Sequence, residues 1–428
     1  MRLGGRLAAA IEVLEDMDRR HRPAADALKD WGLSHRFAGA GDRAAIGNVV
    51  YDALRRRRSA SWIFDAETPR AWAFGGFMLE TGREAAAINA VLVGDRFAPA
   101  PLSTDELAAI ADRDLASAPG AVRGDVSDWC APLLEETFGA DWVEEAKGLA
   151  RRPPLDMRAN TLLASRDKVI AELEGAVATE IAPDGIRIAP IAGEGRHPNV
   201  QVEPAFQKGW FEIQDEGSQI AALLAGAKPG MQVLDLCAGA GGKTLALSAA
   251  MENRGQIFAH DSDKGRLAPI FDRLKRAEAR NVQVIARRDG LAELEGRMDL
   301  VLIDAPCTGS GTWRRRPDAK WRLTERQLDV RVGDQSSILD EAVRFVKPGG
   351  MIAYVTCSVF PRENQDQVGQ FLSRHPGFVP VDHDGLWNGL YPDHQGRARI
   401  AKDGIVLTPA RSGTDGFFFA GIRRSMAG

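Results

Sequence analysis

The sequence predicts an α/β protein: a mostly parallel, seven-stranded Rossmann-like sheet in the second half, preceded by a small α+β segment and an all-helical N-terminal region. Three observations predict this. From residue 211 onward, short apolar runs alternate with helical stretches, which implies parallel strands joined by right-handed crossovers. Before residue 150, apolar residues recur at three- and four-residue steps, the period of an amphipathic helix. Between them stands Arg151-Arg-Pro-Pro, whose adjacent prolines disfavour helix on both sides. The expected domains are residues 1–145, 146–210 and 211–428.

The helical region starts with Leu7, Ile11 and Leu14 on one face of a first helix, and Ile46, Val49, Val50, Ala53 and Leu54 on a later one. Trp31, Trp62, Trp72 and Trp129 read as core or helix-packing residues. The small segment offers a strand from Asp156, a helix from about Arg166 to Glu174, and strand candidates near Ile186 and Val200. In the last domain the parallel strands are read at Val233, Ile257, Val282, Leu300 and Met351. Helices are expected near Lys243–Ala250, Gly265–Ala279 and Glu325–Phe345, and Ile405 and Phe417 open a final antiparallel pair.

A chain of 428 residues with 44% hydrophobic and 27% charged residues reads as a multi-domain globular protein. No stretch approaches the roughly 20 apolar residues of a membrane span, and the Met1 end lacks a signal peptide's apolar core. A cytoplasmic location and no membrane partner are the expectation. Cys130, Cys237, Cys307 and Cys357 form no Cys-x-x-Cys pair, so neither a metal site nor a disulfide framework is expected. The net charge of -4 does not announce a nucleic-acid binder. Local charge differs, with arginine runs at Arg55–Arg58 and at Arg314–Arg316, the second seven residues after Cys307.

The chemistry concentrates at the carboxyl ends of the expected strands. After the first comes Cys237-Ala238-Gly239-Ala240-Gly241-Gly242-Lys243-Thr244, a glycine-rich turn that lets backbone N–H groups approach a ligand at a helix N-terminus. Asp261 ends the second strand, placed to hydrogen-bond ribose hydroxyls, and Asp289 follows the third. The P-loop spacing fails, and a dinucleotide loop would want glycine where Thr244 stands. S-adenosylmethionine fits better, since its adenosine needs the acidic strand ends while its amino-acid portion meets the glycine loop.

The fourth strand ends in Asp304-Ala-Pro-Cys307 and the fifth in Thr356-Cys357-Ser358. In such a sheet these strands are neighbours, roughly 5 Å apart, so the two thiols can face one pocket. By itself each thiol could equally be a small buried hydrophobe. Methylating an amine or hydroxyl needs no covalent nucleophile. Methylating carbon 5 of a pyrimidine does, because that carbon becomes nucleophilic only after something adds to carbon 6, and a thiolate suits that addition. A carboxyl beside the base offsets charge in the adduct.

The stretches Pro154-Leu-Asp-Met-Arg-Ala-Asn-Thr-Leu, Gln214-Asp-Glu-Gly-Ser-Gln, Leu234 to Thr244, Asp304-Ala-Pro-Cys-Thr-Gly-Ser-Gly, Arg316-Pro-Asp-Ala-Lys-Trp, Tyr354-Val-Thr-Cys-Ser, Glu363-Asn and Asp415-Gly-Phe-Phe-Phe-Ala together resemble the RNA 5-methylcytosine methyltransferase family. The match is to its bacterial ribosomal-RNA branch. Arg6-Leu-Ala-Ala-Ala and Gly41 to Arg56 resemble the helical RNA-binding domain of NusB-type antitermination factors. One departure is Ala240, where many relatives carry proline. The resemblance implies an S-adenosylmethionine-dependent methyltransferase forming 5-methylcytosine in RNA, with 16S ribosomal RNA or an assembling small-subunit particle as partner and a monomeric state. It implies Cys357 as nucleophile, Cys307 as the group assisting release, and Asp304 between base and methyl donor. Cofactor contacts would come from residues 237 to 243, Asp261, Asp289 and Asp304. Arg314 to Arg316, Lys320 and Arg322 are expected to meet RNA phosphates. Two rivals predict different outcomes: a ribosome-assembly factor without turnover, and a small-molecule methyltransferase or nicotinamide-dependent oxidoreductase.

Overall fold

The computed structural model describes residues 1–191, 193, 195 and 197–426. Residues 192, 194 and 196 of the expected small segment, and 427 and 428 of the expected last domain, lie outside the described residues. The chain divides into two compact units, the first comprising Met1–Pro153, Pro190–His197 and Trp313–Leu323, the second Pro154–Ala189, Pro198–Thr312 and Thr324–Gly428.

The first unit is helical. Helix Leu3–Arg20 buries Leu7, Ala10, Leu14 and Met17, and helix Ala40–Arg55 buries Ile46, Val49, Val50, Ala53 and Leu54, so the apolar stripes become the core. Helix Pro69–Thr81 joins them through glycine: a Cβ on Gly76 would stand 2.7 Å from the Ala53 Cα. That backbone approach excludes any larger residue.

The arginine run at 55–58 is drawn into this unit and is no free solvated face. Arg55 is buried and bonds Asp52 at 3.0 Å, Arg56 bonds Glu80 at 2.7 Å, and the Arg57 guanidinium lies 3.8 Å from the Trp72 ring centre. The segment Trp313–Leu323 also belongs here. Arg55 donates to the Arg314 carbonyl at 2.9 and 3.1 Å, and Trp321 Nε1 donates to the Leu54 carbonyl at 2.6 Å. Arg314 and Lys320 are buried, which corrects the expectation that these two meet RNA phosphates. Burial pushes the Lys320 ammonium down to about 8 against the opposing pull of Asp125. Arg316 and Arg322 remain exposed.

The second unit holds two sheets. Strands β1 (Leu155–Ala159), β2 (Ala176–Ala178), β3 (Gly185–Ile188) and β4 (Phe211–Ile213) form a four-stranded antiparallel sheet in the order β2-β3-β1-β4. The helix expected to Glu174 ends at Glu172. The strand expected near Val200 is a single 3-10 turn, Val200–Val202, between Pro198 and Pro204.

The larger sheet contains β5 (Gln232–Asp235), β6 (Gln256–His260), β7 (Val282–Ile285), β8 (Met298–Asp304), β9 (Val346–Thr356), β10 (Phe378–Pro380), β11 (Arg399–Ala401), β12 (Gly404–Leu407) and β13 (Phe417–Arg424). Its order is β11-β12-β13-β9-β8-β5-β6-β7, with β10 on β13, so nine strands stand where seven were expected. The two additions are three-residue edge strands, too short for a periodic signal. Strands β5 to β9 are mutually parallel, and β13 runs antiparallel to β9. Leu300, Val301, Leu302 and Ile303 are all buried, as a strand covered on both faces requires. The order reverses at β5, between β6 and β8, which opens the crevice where sheets of this type take ligands.

Candidate active site

Strand β5 ends at Asp235 and hands the chain to the glycine turn, which starts helix Gly242–Ala250. Gly241 has φ +85, a left-handed conformation, and a Cβ there would lie 2.6 Å from Ile270 Cγ1. The turn is tied down by backbone bonds: Ala238 N–H donates to the His260 carbonyl and Gly241 N–H to the Ala238 carbonyl, both at 2.8 Å. Arg273, held by Glu212, donates to the Ala240 carbonyl at 2.8 Å.

Beside the turn lies a cavity of about 560 Å³ whose walls include Leu236, Cys237, His260, Asp261, Asp289 and Ile338. Asp261 is buried, and its two oxygens accept the N–H groups of Gly239 at 2.9 Å and Asp263 at 2.8 Å. It therefore shapes the loop, and each oxygen keeps a second lone pair for a ligand. Asp289 reaches the cavity wall with an exposed carboxylate held by Arg287 at 2.8 Å, which keeps it below the ordinary carboxylate range. Asp235 lies beneath the turn, fully buried, with Oδ2 accepting from Thr244 Oγ1 at 2.7 Å and Oδ1 without a partner among the described residues. Burial, with the nearby Asp304 and Asp261 adding to it, pushes its carboxyl up to about 7. The same burial and carboxylates push the Cys237 thiol up.

On the other side of β5 the register pairs Asp235 with Leu302 on β8, and Asp304 with Val355 on β9. Asp304 is ion-paired at 2.8 Å with Lys243, whose side chain is only 6% exposed, so the glycine turn reaches the carboxylate at the end of β8. Past the strand ends, Cys307 Sγ and Cys357 Sγ lie 3.3 Å apart, both free and half-buried. The hydrogen bond with Cys357 first, then burial and the charge of Glu363, push the Cys307 thiol well above its ordinary value. Cys307 therefore retains its proton at neutral pH. One thiol holding its proton beside a second, with a carboxylate at the same sheet edge, suits addition and expulsion of a sulfur nucleophile.

All the residues expected at the site thus fall at one edge of one sheet. Sequence reasoning missed those that hold the thiol loops: Glu363, Gln335, Ser310 and Ser358. Glu363 stood in a quoted motif without a role, and nothing marked Gln335, in the middle of helix Glu325–Ala342.

Residues 222–423 match the family model described as 16S rRNA methyltransferase RsmB/F. Ribosomal RNA small subunit methyltransferase B of Enterobacter sp. (strain 638) is 33% identical over 299 residues, covering 68% of this chain and 65% of that protein. The chain thus spans 65% of the length of that curated relative. Among solved structures, that of PH0851 covers 99% of both chains at a TM-score of 0.73 and 25% identity. A methyltransferase homolog protein from Pyrococcus horikoshii gives a TM-score of 0.58 at 26% identity, over 71% of this chain and 97% of its own.

Proposed function

We propose that this chain belongs to the RsmB/F methyltransferase family, whose model its residues 222–423 match, and that it methylates carbon 5 of a cytosine in small-subunit ribosomal RNA. The observation that carries this reading is the pair of thiols 3.3 Å apart at the ends of β8 and β9, beside Asp304.

S-adenosylmethionine supplies an electrophilic methyl group. The residues around the glycine turn fit it: the unpartnered Asp235 Oδ1 is a buried acceptor for a donor group, and Asp261 has lone pairs for a ribose diol. Cys237 and Asp289 line the cavity, residues 238 to 243 form the turn beside it and would close the site on the methionine side, and the Asp304–Lys243 pair would stand toward the base.

Cys357, as thiolate, adds to carbon 6 of the cytosine, forming a C–S bond and moving the ring's electron pair to carbon 5. Asp304, held by Lys243, accepts from the exocyclic amine at the polar edge of the base and holds the ring for the addition. After methylation the carbon 5 proton passes to solvent, its electron pair re-forms the double bond between carbons 5 and 6, and the C–S bond breaks with its pair leaving on the Cys357 sulfur. Cys307 keeps its proton and stands in contact with the departing sulfur, so it stabilises the leaving thiolate by donating a hydrogen bond. A target inside a helix would have to be unstacked to reach these groups.

The test is to incubate the protein with labelled S-adenosylmethionine and unmethylated 16S RNA, either naked or in small-subunit particles, and to read the product by bisulfite sequencing. One protected cytosine is expected. Label on an exocyclic amine, a sugar hydroxyl or transfer RNA alone would overturn the reading, and no label at all would favour an assembly factor.

A further inference from the structure

Glu363 stands in the 3-10 turn Pro361–Glu363 and is fully buried, yet it reaches neither the cofactor cavity nor the thiols directly. Its carboxylate is surrounded by donors from three elements. From the Cys307 loop come the Thr308 N–H at 2.8 Å and the Thr308 hydroxyl at 2.5 Å. The Cys357 loop supplies the Ser358 hydroxyl, and helix Glu325–Ala342 supplies Gln335 Nε2 at 3.0 Å, which also donates to the Pro306 carbonyl at 3.0 Å. The Glu363 carbonyl accepts from the Tyr354 hydroxyl of β9 at 2.6 Å. A buried carboxylate is costly unless its oxygens are satisfied, and here the donors include the residue that follows each cysteine, Thr308 and Ser358.

The loops touch elsewhere as well. Gly311 N–H donates to the Cys357 carbonyl at 3.0 Å, Ser310 and Ser358 hydroxyls are 2.9 Å apart, and Asn364 Nδ2 donates to the Ser358 carbonyl at 2.9 Å. Only Glu363 adds a charge to this set. The groups acting on Cys307 are Cys357 and Glu363, which both push its thiol up, and the Gly309 backbone, which opposes them. Tyr354 faces the same cluster from β9.

We propose that Glu363 is a positioning residue for the two-thiol reaction, clamping the Cys307 and Cys357 loops to each other through Thr308 and Ser358 and setting the sulfur–sulfur contact. The clamp rests on the cytosine-5 reading for its purpose, while its effect on the thiols is independent of any RNA. The Glu363 charge adds to the contact with Cys357 and to burial in pushing the Cys307 thiol up.

Glu363→Gln keeps the size and removes the charge. Alkylation of each cysteine by iodoacetamide, followed by mass spectrometry across pH in the full chain, reads the proton directly. The Cys307 midpoint is expected to fall, because one of the charges that pushes the thiol up is removed. Single-turnover methylation is expected to slow by roughly ten- to a hundredfold, with S-adenosylmethionine affinity within about twofold of wild type. Thr308→Val removes one strut and keeps the charge, so it slows turnover and moves the Cys307 midpoint less than Glu363→Gln does, and it decides the matter if Glu363→Gln does not fold. An unmoved midpoint with unchanged turnover in Glu363→Gln overturns the proposal. So does unchanged turnover in Thr308→Val, or loss of cofactor affinity in step with activity, which would make Glu363 a fold support only. If wild-type protein forms no methylcytosine, the cytosine reading fails while the alkylation profiles still decide the clamp.

Discussion

Replacing Asp235 by asparagine tests the electrostatics under the glycine turn. The Asp235 carboxyl is pushed from 3.8 to about 7 by burial, so the folded state holds a proton that the unfolded state has released between those values. The unfolded chain then binds fewer protons, and stability falls as pH rises through that window. At 1.36 kcal/mol per unit, the cost is absent below pH 3.8 and reaches about 4 kcal/mol above pH 7. Asparagine has no such cost and its oxygen can still accept from Thr244. Its amide would take the place of the unpartnered Oδ1, at a pH-independent cost of about 1–3 kcal/mol. The stability of Asp235→Asn relative to wild type should therefore rise by about 3 kcal/mol between pH 5 and pH 8. Urea unfolding without cofactor, followed by fluorescence at several pH values, measures it. A difference independent of pH would refute the reasoning, because it would mean that the carboxyl is already ionised in the folded protein at pH 5.

Three further outcomes are expected. Gly241→Ala, at a left-handed position packed on Ile270, should weaken cofactor binding by about 1–3 kcal/mol, read by calorimetry. Leu302→Ala empties a fully buried site in the central strand β8 and should lower stability by about 2–5 kcal/mol in denaturant unfolding. Lys320, pushed down to about 8 from 10.5, is deprotonated in the folded state at a pH where the unfolded chain still binds its proton. Its burial should cost about 3 kcal/mol below pH 8 and be relieved as pH rises toward 10.5, so Lys320→Met should lose any advantage over wild type across that interval in thermal melts.

The parts of the fold legible in the sequence were those written in period and composition. Leu300 to Ile303 announced a strand buried on both faces, and the Asp304 and Thr356 strand ends followed from parallel order alone. The short edge strand Phe378–Pro380 was not legible, since three residues ending in proline carry no alternation. At the site, Asp261 and the glycine turn were singled out because a nucleoside cofactor would call for them at these strand ends, and both lie at one edge of the sheet. Arg314 and Lys320 were misjudged because sequence gives the sign of a charge and not its burial, and both are packed inside the helical unit. The role of Glu363, and Gln335 altogether, escaped notice because the groups that meet at this carboxylate lie 55 and 28 positions from it in sequence and are brought together only by the fold.

The measurement closest to the central claim is covalent trapping of RNA by single-cysteine variants, resolved on denaturing gels after incubation with S-adenosylmethionine. Cys307→Ala should accumulate a protein–RNA adduct that Cys357 forms and cannot release, whereas Cys357→Ala should form neither adduct nor methylcytosine. An adduct in Cys357→Ala and none in Cys307→Ala would contradict the account and move the nucleophile to the end of β8.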